Sequence, residues 1–461
     1  MPLDALNIAF TVGSKPPNEP DVSVASIVPE MESSRSCAAS IARVKRRHVF
    51  HIPGYDAIGA SWYRLFRREL QIFSSTWHVA TAVSELTPGA TNGNSAWTVT
   101  TRGLNWSVET SYEPLLWDDI VRGDDVRPMG RRLLLSFQVF LNVIGSGAFF
   151  RYCSANWQYA LFFLFPYAAT GLFALVAIVI AERGIDVTGL SGPLGSILTG
   201  LIAVGIFLVL MHWLGRKWGV SQALDDWIFS WGYLSTRRAD IDQRIDQFSE
   251  RLVERARDET LDEILIVGHS MGATLALEVL TRALAHDHNF ARQRAPVCLL
   301  TVGSTIPKFT LHPAGERFRR YAEQIVKEPS ISWAEYHARS DLISFYKFDP
   351  VRLTRFYGDP RCGKPILRRI KMHQMLKRST YWSYRLRFMR LHYQFVMANE
   401  CRATYDYFMM ACGPIPFSRM VLTAGGAAEL IASDSSLIAP HAPEPVMPEQ
   451  LQASDSPLAA S

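Results

Sequence analysis

The sequence predicts an α/β fold, a mostly parallel sheet flanked by helices, with an inserted hairpin of two membrane-spanning helices. Three observations carry this. The run Glu263-Ile-Leu-Ile-Val-Gly268 is short, apolar and β-branched, as a buried parallel strand is, and it leads into the Ala- and Leu-rich helical stretch Met271–Ala285. An earlier apolar run, Val49-Phe-His-Ile52, is also followed by a helical segment, Ala60–Phe73, and such alternation of strand and helix builds parallel sheets. Between the two strand–helix units lie two charge-free runs, each long enough to cross a bilayer, which takes about 20 apolar residues.

With 461 residues the chain can bury a full core and needs neither disulfides nor a metal to fold. A net charge of +5 is mild for this length and argues against a dedicated nucleic-acid binder. Six scattered cysteines without a C-x-x-C pair read as reduced thiols, not as a disulfide framework or zinc site. Residues 1–42 carry prolines and serines, but no basic segment followed by an apolar one, so we expect a disordered leader and no secretory signal. Residues 43–117 begin the α/β domain, 118–240 form the membrane insertion, and 241–425 complete the domain. Residues 426–461, rich in Pro, Ser and Ala, are expected to be a disordered tail.

The first span is Trp157–Ala181, with no charge between Arg151 and Glu182. The second is about Leu194–Leu214, with none between Asp186 and Arg216. Trp157, Tyr159, Trp213 and Trp218 stand at the span ends, where amphipathic rings favour the interface. A third stretch, Leu133–Phe150, is uncharged but holds Ser136, Gln138, Asn142 and Ser146. We expect it to lie on the membrane or to pack on the domain. Arg131, Arg132 and Arg151 precede the first span, and Arg216 and Lys217 follow the second. Basic flanks stay on the cytoplasmic side, so both termini and the α/β domain should face the cytoplasm.

The sharpest local signal is Gly268-His269-Ser270-Met271-Gly272, a G-x-S-x-G set between strand and helix. Small residues at 268, 272 and 273 let the two elements approach closely, and the helix N-terminus favours negative charge. This segment resembles the nucleophile elbow of the α/β-hydrolase superfamily, lipase- and esterase-like members in particular. Val49-Phe-His-Ile-Pro-Gly-Tyr-Asp56 is similar to the strand and His-x-Pro-Gly loop of lipase-like members. The resemblance implies an α/β-hydrolase fold with Ser270 as nucleophile, and oxyanion donors at the backbone of Gly54 or Tyr55 and of Met271.

The superfamily places the acid and then the base after the serine. Ile331–Ile343 resembles a late strand ending in a loop with D-x-I, the usual place of the acid, so Asp341 is the candidate, with Asp349 as the alternative. His392 is the candidate base, with His373 as its competitor; His337 precedes the acid. The resemblance covers about Val49–Phe395 and departs from a compact hydrolase in the long insertion. The layout resembles that of integral-membrane members of bacterial type, which implies an inner-membrane location. Arg361–Tyr393 contains ten Lys and Arg and no Asp or Glu, interleaved with Tyr381, Trp382, Tyr384 and Phe388, a composition suited to anionic headgroups or to a solvated face. Ala239–Arg257 places Ile241, Ile245, Phe248 and Leu252 on one helical face, for packing on the sheet.

The expectation is a membrane-anchored serine hydrolase cleaving a carboxylic ester or thioester. Its partners would be membrane lipids and a small acyl ester or lipid substrate, with no cofactor, metal or nucleic acid. An acyltransferase of the same fold and a non-catalytic membrane scaffold are the alternatives. Composition and motifs leave the oligomeric state and the substrate open.

Overall fold

Every residue of Glu263–His269 is buried, because the sheet around this strand is covered by helices on both faces. The computed structural model describes residues 43–438 apart from 58, 60, 89–94, 357–362 and 386. The expected leader 1–42 and the end of the expected tail, 439–461, lie outside the described residues. In chain order the strands are β1 (Arg46–Ile52), β2 (Ala80–Val83), β3 (Thr87–Pro88), β4 (Ser95–Arg102), β5 (Ser107–Pro114), β6 (Glu263–His269), β7 (Val297–Val302), β8 (Ile331–Ala338), β9 (Phe348–Asp349), β10 (Thr354–Arg355) and β11 (Ile366–Ile370). The main sheet runs β11-β8-β7-β6-β1-β5-β4-β2, with β3 beside β4, while β9 and β10 pair separately. From β11 to β5 every pairing is parallel; β4 and its neighbours are antiparallel.

Strand periodicity divides the core in two. Val49, Leu265 and Val267 turn towards α1 (Ser61–Trp77), whose Phe66 and Phe73 share that layer. Phe50, Ile52, Ile264 and Ile266 turn to the other face.

Between β5 and that second layer come α2 (Asp118–Asp125), α3 (Met129–Gly145), α4 (Ala148–Ala155), α5 (Trp157–Thr188), α6 (Pro193–Leu210) and α7 (Val220–Leu234). A π-helical turn, Met211–Gly215, extends α6. The second layer holds α8 (Ala239–Ala256), α9 (Met271–His286), α10 (Ile306–Thr310) and α11 (Glu316–Lys327). Ile241, Ile245, Phe248 and Leu252 of α8 are all buried there, the face its spacing predicts. After β11 follow α12 (Met372–Met375), α13 (Arg378–Tyr384), α14 (Phe388–Tyr393), α15 (Tyr407–Cys412), α16 (Phe417–Leu422) and α17 (Ala427–Leu430).

Two helical stretches, Trp157–Thr188 and Pro193–Gly215, are long and apolar enough to cross a membrane, and only 28% and 11% of their most apolar windows are buried by protein. They pack through small residues: Ala169, Ala177 and Ala181 of α5, and Gly195 and Ala203 of α6, are buried. The first helix continues beyond Ala181 to Thr188, carrying Glu182, Arg183 and Asp186.

The marginal stretch 133–150 becomes α3 and α4, bent by 71° around Gly147 in a left-handed conformation. Val139 and Val143 face the protein, while Leu134, Phe137 and Leu141 point outward and are more than half exposed. Arg132 and Arg127 both pair with buried Asp225 of α7, which fastens the insertion to itself.

The expected tail begins too early at 426. Leu430 and Ile431 are buried, Ile431 bridges to Leu437, and the Trp106 indole donates to the Ser435 carbonyl. A few apolar side chains inside an Ala- and Ser-rich stretch are enough to fold 427–438 onto the turn between β4 and β5.

Candidate active site

β6 ends at His269, α9 begins at Met271, and Ser270 alone makes the turn, at φ 56° and ψ −121°. That conformation costs on the order of 1–3 kcal/mol in a residue with a side chain, and the surrounding packing imposes it. A Cβ on Gly268 would lie 2.5 Å from the Ala273 Cα, and one on Gly272 would lie 2.0 Å from the Ile52 carbonyl oxygen. Strand, turn and helix therefore pack at backbone contact, which only glycine allows here. The Ser270 N–H donates to the Val302 carbonyl at 3.0 Å, holding the turn against the end of β7. As the first residue of α9, Met271 presents an N–H with no acceptor inside its helix.

The loop after β1 passes directly over the serine. A Cβ on Gly54 would come within 2.8 Å of the Ser270 Cβ. Trp117, at the end of the first part of the α/β domain, and elements of the insertion clamp this loop. The Trp117 indole donates to the Pro53 carbonyl, the Gln222 amide donates to the Tyr55 carbonyl, and the buried Tyr55 hydroxyl donates to Asp124 of α2. Burial, reinforced by the Asp124 carboxylate, keeps the Tyr55 phenol protonated.

Asp341 lies just after β8 and is completely buried. His392 sits on α14, and its Nδ1 is 3.0 Å from both carboxylate oxygens of Asp341. Burial alone would raise the Asp341 carboxyl; the imidazole beside it and the Ile343 N–H at 3.0 Å outweigh that and hold it below the ordinary carboxylate range. With Nδ1 donating to Asp341, Nε2 is the accepting nitrogen, and it is buried without a partner among the described residues. The ring is held from behind by Gly303, at φ 53°, where a Cβ would meet the His392 Cε1 at 2.9 Å. His269 lies against it with ring centroids 4.7 Å apart, its Nε2 3.1 Å from the His392 carbonyl. Burial drives the His269 imidazole well below its ordinary value, so it adds no second positive charge.

Ser270, His392, Gly54, Tyr55 and Thr305 line one cavity of about 80 Å³ together with Phe162 and Phe165 of α5 and with Trp218. Asp349 does not join it. Its Oδ1 accepts from the N–H groups of Val351 and Arg352 at 2.9 Å, so it caps its own turn. His373 lines a separate groove, and the His337 Nδ1 is 3.1 Å from the Phe345 carbonyl. Among the described residues no cluster of His, Cys, Asp and Glu is placed to hold a metal.

Sequence reasoning missed Gly303, Thr305 and the hydrogen bond from the Tyr393 hydroxyl to Asp56, which ties the loop over the serine to the helix carrying His392. A glycine immediately after an apolar strand was the available signal for the first. The other two depend on tertiary folding. No known protein family, curated protein or solved structure matches the chain.

Proposed function

We propose that the protein is a membrane-anchored serine hydrolase of α/β-hydrolase type, cleaving a carboxylic ester or thioester through an acyl-enzyme on Ser270. The observation that carries this reading is the Asp341–His392 pair at 3.0 Å, which shares a cavity with a serine held in a strained turn at a helix N-terminus. The chain order of serine, acid and base, each at the carboxyl end of its own strand or beyond it, supports the same reading.

The reaction uses these groups in sequence. The Ser270 hydroxyl gives its proton to the His392 Nε2 as the oxygen attacks the acyl carbon. Asp341 fixes the tautomer and stabilises the imidazolium that forms. The N–H of Met271, with that of Gly54 or Tyr55, faces the oxyanion. Collapse expels the alcohol or thiol, protonated by His392, and water then releases the acid by the same route.

The basic flanks of the two spans support a cytoplasmic orientation for this site. Phe162 and Phe165 of the membrane-length helix α5, with Trp218, line the cavity and support an apolar acyl substrate.

Labelling of membranes with a fluorophosphonate probe tests the reading. Wild-type protein should label, Ser270→Ala should not, and His392→Ala and Asp341→Asn should label at least about 100-fold more slowly. Folded wild-type protein that stays unlabelled would favour a non-catalytic scaffold.

A further inference from the structure

The catalytic cavity holds little more than the reacting ester, so most of any lipidic substrate must lie elsewhere. Beside it runs a groove of about 980 Å³ at the carboxyl ends of β8 and β11, where open α/β sheets bind ligands. Arg339, Arg368, Arg369, Lys371 and Arg385 line it, and no Asp or Glu does. Among the described residues none of the five forms an ion pair, and the Arg368 Nε is buried without a hydrogen-bond partner. Cations gathered in this way, without carboxylates, leave a positive field that a multivalent anion would complete.

Position narrows the anion. Gln158, in the first turn of membrane helix α5, borders the groove, and the exposed Leu342 lines it as well. Phe388 of α14 lines both the groove and the catalytic cavity, and its ring packs 6.2 Å and 6.1 Å from those of Phe162 and Phe165. One wall therefore separates a basic chamber bordered by the start of α5 from the serine, with apolar side chains leading from the serine back to that helix.

We propose that the groove holds the phosphate-bearing head of an anionic membrane lipid, and that an acyl ester of the same lipid, passing Phe388, is the bond presented to Ser270. This rests on the serine-hydrolase reading and names its substrate class. The head lies among the arginines, the ester in the small cavity, and the acyl chain between Phe162, Phe165 and Trp218.

Full-length protein in detergent micelles should hydrolyse phosphatidylglycerol faster than diacylglycerol at equal surface concentration. Arg339, Arg369 and Lys371 are exposed, so the triple variant Arg339→Glu, Arg369→Glu, Lys371→Glu should fold. It should lose that preference by about tenfold or more while keeping wild-type hydrolysis of soluble p-nitrophenyl butyrate. Equal rates on the two lipids, or an unchanged preference in the variant, overturn the proposal. A second arm measures binding of dihexanoyl phosphatidylglycerol and of inorganic phosphate to the Ser270→Ala protein. Tighter binding of the lipid, weakened by the triple substitution, is expected. Phosphate bound as tightly as the lipid would assign the groove to a free anion and overturn the proposal. If wild-type protein neither labels with fluorophosphonate nor cleaves butyrate, the hydrolase reading has failed and the substrate claim falls with it, while the binding arm still decides what the groove holds.

Discussion

Glu335, on the strand that leads to Asp341, is buried with its Oε2 accepting from the Thr301 hydroxyl at 2.9 Å and its Oε1 3.5 Å from the His337 Nε2. Burial first, and the nearby Asp349 charge second, push its carboxyl up to about 8, despite the Thr301 bond. Burial also holds His337 down to about 4, so at neutral pH both side chains are uncharged and their contact is not an ion pair. The unfolded carboxyl titrates near 4.3, so between about 4.3 and 8 the folded chain keeps a proton that the unfolded chain has lost. Stability therefore falls as pH rises through that window and levels off above it. His337 titrates in the folded protein below its unfolded value, so above about 7 it adds little and the Glu335 effect stands alone. Glu335→Gln removes the titration and can keep the Thr301 bond. Its melting temperature should fall less than that of wild type between about pH 7 and 8.5, read by intrinsic fluorescence in detergent. Parallel pH curves for the two proteins would remove Glu335 as the cause.

At the scale of elements, the turn after β7 holds the His392 ring in place. A methyl group at Gly303 would press on the His392 ring at 2.9 Å, in a backbone conformation that L residues avoid. Gly303→Ala should slow fluorophosphonate labelling by about tenfold or more while the protein stays folded, because the ring must swing away from Asp341 or from the serine. Unchanged labelling would mean that the His392 ring has room to spare. Local sequence was enough for β1, β6, Ser270, α9, α8 and the two long apolar helices, since each carries its own periodicity or turn chemistry. It was not enough for β2 to β5. Half of Ser95–Arg102 is Ser or Thr, with only Trp97, Val99 and Thr101 buried, and β2 and β3 are too short to show a period. Chain order pointed to His392 without excluding His373. Both lie in one basic stretch, and only the fold of α13 and α14 sends one to Asp341 and the other to the groove.

Over the whole molecule, the remaining asymmetry is the distribution of charge about the two membrane-length helices. The first has 32 residues, about 48 Å at 1.5 Å per residue, against a hydrocarbon core of about 30 Å. Its excess length carries Glu182, Arg183 and Asp186 beyond the apolar stretch, and the link to α6 is only a few residues long. At the other end stand Arg131, Arg132, Arg151, Arg216 and Lys217. Two of these are ion-paired, Arg132 with Asp225 and Arg216 with Asp125. The orientation rule counts Lys and Arg and gives acidic residues little weight, so this pairing leaves the bias intact. The tip of the hairpin should therefore lie on the far side of the membrane from the α/β domain. Val187 at the tip is 89% exposed, and Ser383 of α13 is exposed beside the basic groove. In intact bacterial cells, Val187→Cys should react with a membrane-impermeant maleimide above the level of the parent protein. Ser383→Cys should react only after the cells are permeabilised. The reverse pattern would place the serine outside the cytoplasm and remove cytoplasmic acyl compounds as substrates. Labelling at both positions in intact cells would mean that the hairpin does not cross at all, and that α5 and α6 rest on the outer surface.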